Sequence, residues 1–150
     1  MKDNNDWYDR DFDDDFGDAL HRRTEELYNV QDAGPDDDGL IECPVLPLRD
    51  MVVFPHMISP VFLATDLAML SVEEAQLTEL TVIGLTQRDA ELENPGADDF
   101  YPIGVEMAVG RLISMPDDSS SALVQGRRRV EIVEFVQLEP YLIARARPIY

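Results

Sequence analysis

The chain has 150 residues, with 31 acids against 12 lysines and arginines, for a formal net charge of −19 at pH 7. That length suits one domain, and the charge argues against general nucleic-acid binding and against anionic membrane surfaces, since both need clustered cationic residues. The single cysteine, Cys43, cannot close an internal disulfide and fits a reducing compartment. The N-terminus is acidic where a signal peptide would be basic and then apolar. No apolar run approaches the roughly 20 residues that span a bilayer. A soluble, cytoplasmic chain is expected.

Charge is unevenly placed. Residues 1–42 hold 15 acids against Lys2, Arg10, Arg22 and Arg23, a net of −11, and the remaining residues carry −8. Runs such as Asp13-Asp14-Asp15 and Asp36-Asp37-Asp38 are poor core material. Tyr8, Phe12, Phe16 and Leu20 recur every four residues, with Trp7 beside them and Leu27 further on, which on a helix would draw one apolar stripe able to dock on a partner or a neighbouring subunit. Isolated helices of that length are marginal in water, so the expectation is an acidic, disordered extension over 1–41, with Gly34 to Gly39 as its linker. The domain then occupies 42–150.

Leu46 to Phe62, LPLRDMVVFPHMISPVF, holds three of the ten prolines among dense apolar residues. Each proline fixes its own φ and pushes the preceding residue towards extended geometry. The segment is too apolar for a linker and too proline-broken for a helix. It reads as a strand starting at Val45, Leu46 and Leu48, a tight apolar loop and a second extended piece, with Pro44 suiting a strand start or an edge. Thr65 or Asp66 can cap a helix running to about Leu77, with Leu67, Leu70 and Ala75 towards a core. Ser71 with Glu74 offers a competing capping box.

Thr81 to Thr86 then reads as a short buried strand, followed by a polar loop at Asn94-Pro95-Gly96 and Asp98-Asp99. Ile103, Val105, Met107 and Val109 alternate with Gly104, Glu106, Ala108 and Gly110, a strand pattern. Pro116-Asp117-Asp118 and three serines make a turn, and Ala122 to Val136 returns. The returning strand shifts phase, because Val130 and Ile132 share one face while Val133 and Phe135 occupy the other. Such a shift marks a bulge or bend where a sheet curls on itself. Tyr141 to Ala146 supplies a last strand. The fold expected is mainly β with one helix, a small curled sheet or partly open barrel.

The chemistry is mostly a set of absences. There is no phosphate-cradling G-x-x-x-x-G-K-[ST] loop, and the only lysine is Lys2, so no Ser–Lys dyad can form in the domain. His21 and His56 are far from any G-x-S-x-G turn, which is missing, and with Cys43 they have no metal-ligand spacing. Acid pairs at 73–74, 98–99 and 117–118 fall on a helix surface or in loops, where carboxylates are usually solvated. No catalytic, cofactor or metal residue is expected. Two other features stand out. Arg127-Arg128-Arg129 could bind phosphate or an acidic peptide, but alternation puts Arg127 and Arg129 on one face and Arg128 on the other, so structural or surface ion pairs are favoured. The loop of Met51, Val52, Val53, Phe54, Met57 and Ile58 has the methionine–aromatic character of an adaptable peptide-binding surface, although most of its residues could equally plug the core. Met51, Phe54, Met57 and Ile58 are the candidate substrate contacts.

PLRDMVVFPHMISPVF, then QRDAELENP, then IGVEMAVGRLISMPDDSSSALVQGRRRVEIVEF resembles the N-terminal domain of the Lon ATP-dependent proteases, from about Cys43 to Tyr150. Its anchors are Pro47-Leu48-Arg49, Phe54-Pro55, Pro60, Gly104 and Gly126-x-x-Arg129-Val130, with Arg49, Gly126 and Arg129 as structural motif residues. The resemblance implies a PUA-like β-fold with one helix. It also implies recognition of unfolded or tagged protein substrates and help in assembling a homo-hexamer before ATP-driven unfolding and proteolysis. ATP and Mg are implied only for a full-length protease, a serine endopeptidase whose ATPase and Ser–Lys modules lie outside this sequence. The chain is then expected to be a fragment of such a protease. A stand-alone module presenting a degron or ligand is the alternative.

Overall fold

The structure, a computed structural model, describes residues 25–149 apart from 115, 117 and 118. The stripe of Tyr8, Phe12, Phe16 and Leu20 lies outside the described residues. Six strands and one main helix follow in the order β1 (Ile41–Leu48), β2 (Ile58–Phe62), α1 (Asp66–Thr78), β3 (Val82–Thr86), β4 (Ile103–Ser114), β5 (Ser120–Gln137) and β6 (Ile143–Pro148). The expected mainly β fold with one helix is therefore present.

The strands form one sheet in the order β2-β5-β4-β3-β1-β6, and a further β5–β6 pairing closes β5, β4, β3, β1 and β6 on themselves, with β2 attached to β5. The result is a ring without the regularity of a barrel. The 18-residue β5 makes this possible. One of its edges pairs with β4 from Ser120 to Glu131. The other edge takes β2 along Ser121–Gln125 and β6 along Val130–Gln137. Between these two partners β5 must bend, and the register with β6 slips at Ile132/Glu134 and again at Phe135/Gln137. This is the phase shift legible in the sequence, with one correction. The bulge leaves Val133 45% exposed, whereas Phe135 returns to pack with Val130 and Ile132 instead of facing away with Val133.

Pro44 was expected to start β1 or to place it at an edge, but β1 begins at Ile41 with Pro44 inside it. The strand lies between β3 and β6, antiparallel to β6 over Ile41–Pro44 and parallel to β3 over Val45–Leu48. Each neighbour covers only half of the strand, so Pro44 falls where one ladder gives way to the next.

Thr65, one of the two expected caps, accepts a hydrogen bond from the Ala68 N–H at 3.2 Å and starts α1. Ser71 is no cap. It is buried mid-helix and its hydroxyl donates to the Val45 carbonyl at 2.7 Å. The helix buries the small residues Ala68, Ser71, Val72 and Ala75, which allows close approach to β1. Leu70, expected in the core, is 37% exposed. Around this contact Leu46, Leu48, Val53, Met107 and Val124 form the larger core, and Ile41, Val45, Ile83, Phe100 and Val130 the second.

Residues 25–33 are built into the domain. Leu27 is fully buried against Ala108 and Leu123, closing over the face of β4 that alternation left open. The strap is held by charge. Arg127 donates to the Leu27 carbonyl at 2.6 Å and pairs with Asp32 at 2.7 Å. Arg128 donates to the Ala33 carbonyl at 2.8 Å and pairs with Glu106 at 2.5 Å. Glu106, itself fully buried, also accepts from the Ala33 N–H at 2.7 Å and from the Thr81 hydroxyl at 2.5 Å. The expected linker at 34–39 is a pinned turn, in which the Asp36 carboxylate accepts from the Asp38 and Leu40 N–H groups and pairs with Arg145. Charge runs misplaced the structural boundary because Leu27 and Ala33 find their partners 73 to 100 residues away.

Removing one member of a buried ion pair leaves the other uncompensated, a loss on the order of 3 kcal/mol. Glu106→Gln is expected to lower stability by about that much in urea titration and to remove hydrogen-exchange protection at the Ala33 N–H. An unchanged midpoint with intact protection would show that the network does not hold the strap.

Candidate functional site: an apolar loop seated on Gly126

The loop between β1 and β2 contains two residues with positive φ, Asp50 at 52° and His56 at 69°. Asp and His are among the few non-glycine residues that occupy this region readily. Pro55 and His56 form the centre of a tight turn closed by the Met57 N–H donating to the Phe54 carbonyl at 3.1 Å. A proline at the second position and positive φ at the third are what such a turn requires.

The turn rests on β5. The His56 N–H donates to the Gly126 carbonyl at 2.8 Å, and the Gly126 N–H to the Met57 carbonyl at 2.9 Å. A Cβ at position 126 would lie 2.1 Å from the Phe54 carbonyl oxygen. Only glycine lets the loop come this close. At the loop's other end the Thr86 hydroxyl donates to the Met51 carbonyl at 2.8 Å. Arg49 donates to the Leu92 carbonyl at 2.8 Å, joining this loop to the one after β3. The motif residues Arg49 and Gly126 thus both immobilise loops.

Once fixed, the loop divides its side chains. Val53 is buried, and Met51 and Met57 pack against the larger core. Val52 and Phe54 are 53% and 54% exposed, with Ile58, Phe62 and Ile103 also open to solvent. Of the four candidate contacts, Phe54 and Ile58 are therefore on the surface, while Met51 and Met57 serve mainly as anchors. Val52, Phe62 and Ile103 were missed as surface residues. Alternation around buried Val53 would have pointed to Val52 and Phe54 together. A cavity of about 130 Å³ lies among Val52, Phe54, Ile103, Gly104 and Arg129.

The arginine run also differs from simple alternation. The register between β4 and β5 slips at Glu106/Met107, leaving Arg127 as the extra residue between Gly126 and Arg128. Arg127 and Arg128 consequently both hold the strap. Arg129, expected on one face with Arg127, has no ion-pair partner among the described residues, and Glu131 pairs with Arg147 at 3.5 Å.

Other sites offer less. A larger cavity of about 410 Å³ lies between the strap, α1 and β4, beside the Arg111–Glu26 pair at 3.4 Å. Burial and nearby Glu106 push the Cys43 thiol up to about 12. A thiol held protonated is a poor nucleophile and metal ligand. Among the described residues no cluster of His, Cys, Asp and Glu is arranged to hold a metal ion, and no helix is long and apolar enough to cross a membrane.

The architecture is a ring-like, mainly β sheet carrying a solvent-facing apolar loop fixed at both ends. Residues 42–149 match the family model of the ATP-dependent protease La (LON) substrate-binding domain, and the chain belongs to that family. It is 38% identical over 107 residues to Lon protease 2 of Herpetosiphon aurantiacus, which covers 71% of this chain and 13% of that protein. To Lon protease of Heliobacterium modesticaldum it is 35% identical over 106 residues, again 71% of this chain and 13% of that protein. The chain thus spans about one eighth of the length of these relatives. In fold it is similar to the N-terminal domain of the Mycobacterium avium complex Lon protease, with a TM-score of 0.55 and 21% identity over 72% of this chain and 53% of that one. A Lon N-terminal domain protein from Xanthomonas campestris gives a TM-score of 0.53 at 13% identity, over 72% of this chain and 58% of that one.

Surface and core positions in the loop should separate on mutation. Phe54→Asp is expected to change stability by no more than about 0.5 kcal/mol, as for exposed sites generally. Met57→Asp sets a carboxylate against the core and is expected to cost about 2 kcal/mol or more. Urea midpoints measure both, and equal losses would show that Phe54 is also part of the core.

Proposed function

We propose that this domain recognises unfolded or tagged protein segments through the patch of Val52, Phe54, Ile58, Phe62 and Ile103, on behalf of an ATP-dependent serine protease. The observation that carries this reading is the exposure of bulky apolar side chains on a loop fixed at both ends. Exposing such residues is costly in a soluble domain unless something covers them. A segment with its own core residues exposed supplies that cover, and in folded proteins the same residues are hidden. A rigid loop also loses little conformational entropy on binding. Membership of the substrate-binding family supports the same reading.

The wider roles follow from the family. The domain would act in the cytoplasm, within a homo-hexamer, ahead of ATPase and protease modules that use ATP and Mg. An antiserum raised against the domain should then detect a native particle several times heavier than this chain, and a stable native 150-residue product would overturn that assignment.

Binding of a reduced, carboxamidomethylated protein, kept unfolded without denaturant, tests the recognition role. Burying a phenylalanine contributes about 1.5–3 kcal/mol, so Phe54→Ser is expected to weaken binding by roughly tenfold or more, with the urea midpoint retained. Affinity equal to that of the unsubstituted domain would place recognition elsewhere.

A further inference from the structure

Among the described residues, Arg129 differs from its neighbours in having no side-chain hydrogen-bond or ion-pair partner. Of the other arginines among the described residues, Arg49 and Arg88 donate to carbonyls, at Leu92 and Phe100. Arg111, Arg127, Arg128, Arg145 and Arg147 pair with Glu26, Asp32, Glu106, Asp36 and Glu131. Arg129 has neither kind of bond to any described residue. It is exposed, and its position is fixed by β5, whose Arg129 carbonyl accepts from the Ile149 N–H at 2.8 Å.

Its surroundings are apolar. Arg129 borders the 130 Å³ cavity together with Val52, Phe54, Ile103 and Gly104. A cavity of about 150 Å³ lined by apolar side chains accepts a benzene ring, so this one is the size of a single large side chain. A guanidinium with all its donors free beside such a cavity is suited to a carboxylate next to the inserted side chain.

We infer that Arg129 gives the apolar patch a charge preference, so that it takes extended segments in which an aromatic or large aliphatic residue is followed closely by Asp or Glu. The inference rests on the recognition role proposed above and specifies its substrate class. Charge complementarity singles out this occupant. A net charge of −19 disfavours acidic segments in general, and an unpaired Arg129 beside the patch offsets that locally. The domain would thereby discriminate among apolar segments, with hydrophobic contact supplying affinity and Arg129 supplying selection.

The test uses three short peptides of Gly and Ser, each with one Leu-Phe pair followed by Asp, Asn or Lys, acetylated and amidated so that no terminal charge contributes. Chemical-shift titration of the labelled chain reads their weak affinities. The Asp peptide is expected to bind about fivefold more tightly than the Asn peptide, the size of an exposed charge pair, and the Lys peptide most weakly. Arg129→Gln should remove the difference between Asp and Asn, Arg129→Lys should restore most of it, and salt of about 1 M should suppress it. Phe54→Ser should weaken all three. Equal affinities for all three peptides, with Phe54→Ser still weakening each, would overturn the role of Arg129 and leave the apolar docking role standing. Failure of all three to perturb the patch would overturn both.

Discussion

The fold depends on one buried carboxylate. Glu106 is fully buried on β4, where an unpaired negative charge would be prohibitive. Its partners come from three places, the Arg128 guanidinium on β5, the Thr81 hydroxyl ahead of β3, and the Ala33 N–H at the end of the strap. A buried ion pair contributes little net stability over an apolar substitute, but each member makes the other indispensable. The Glu106 network therefore acts less as a source of stability than as a constraint. It requires the strap, the β4–β5 register and the approach to β3 to be correct at once.

That constraint explains the bulge at Arg127. Arg128 must lie opposite Glu106, and Gly126 must lie opposite Met107, yet one residue separates them. The extra residue is accommodated by breaking alternation, and four consecutive positions then serve three purposes. Gly126 receives the apolar loop through its backbone, Arg127 and Arg128 hold the strap, and Arg129 remains beside the exposed side chains. Loop and strap are thus set by neighbouring residues of one strand. A disturbance of the bulge would be felt by both.

The elements that rely on local pattern were legible in the sequence. The β4–β5 hairpin, the Thr65 cap, the bend near Ile132 and the proline-broken loop all follow from alternation, capping or turn chemistry within a few residues. The strap was not, because Leu27 and Ala33 sit among charges and owe their burial to residues on β4 and β5. Of the helix residues expected towards the core, Leu67 and Ala75 pack there and Leu70 does not. Hydrophobicity favours Leu70 as a core residue, but the close contact with β1 selects Ala68, Ser71, Val72 and Ala75 for their size. The site was half visible. Composition marked the loop, but which of its residues face outward depends on the seat at Gly126.

The same loop leads into β2, which among the described residues pairs with β5 along one edge and with no strand along the other, and the backbone limits how the proposed recognition could work there. Gly126 donates to the Met57 carbonyl and Leu63 donates to the Ser120 carbonyl, so on the antiparallel register residues 57, 59, 61 and 63 bond inward to β5. Ile58, Pro60 and Phe62 direct their backbone outward. Pro60 has no N–H to offer at the centre of that edge. A partner strand laid along β2 would lose its middle donor, and the edge is poorly suited to adding strands or to self-association. An exposed apolar loop beside an open edge would otherwise invite aggregation. With Pro60 in place, a segment recognised as proposed would be held by its side chains, against Phe54, Val52 and Ile103 and beside Arg129.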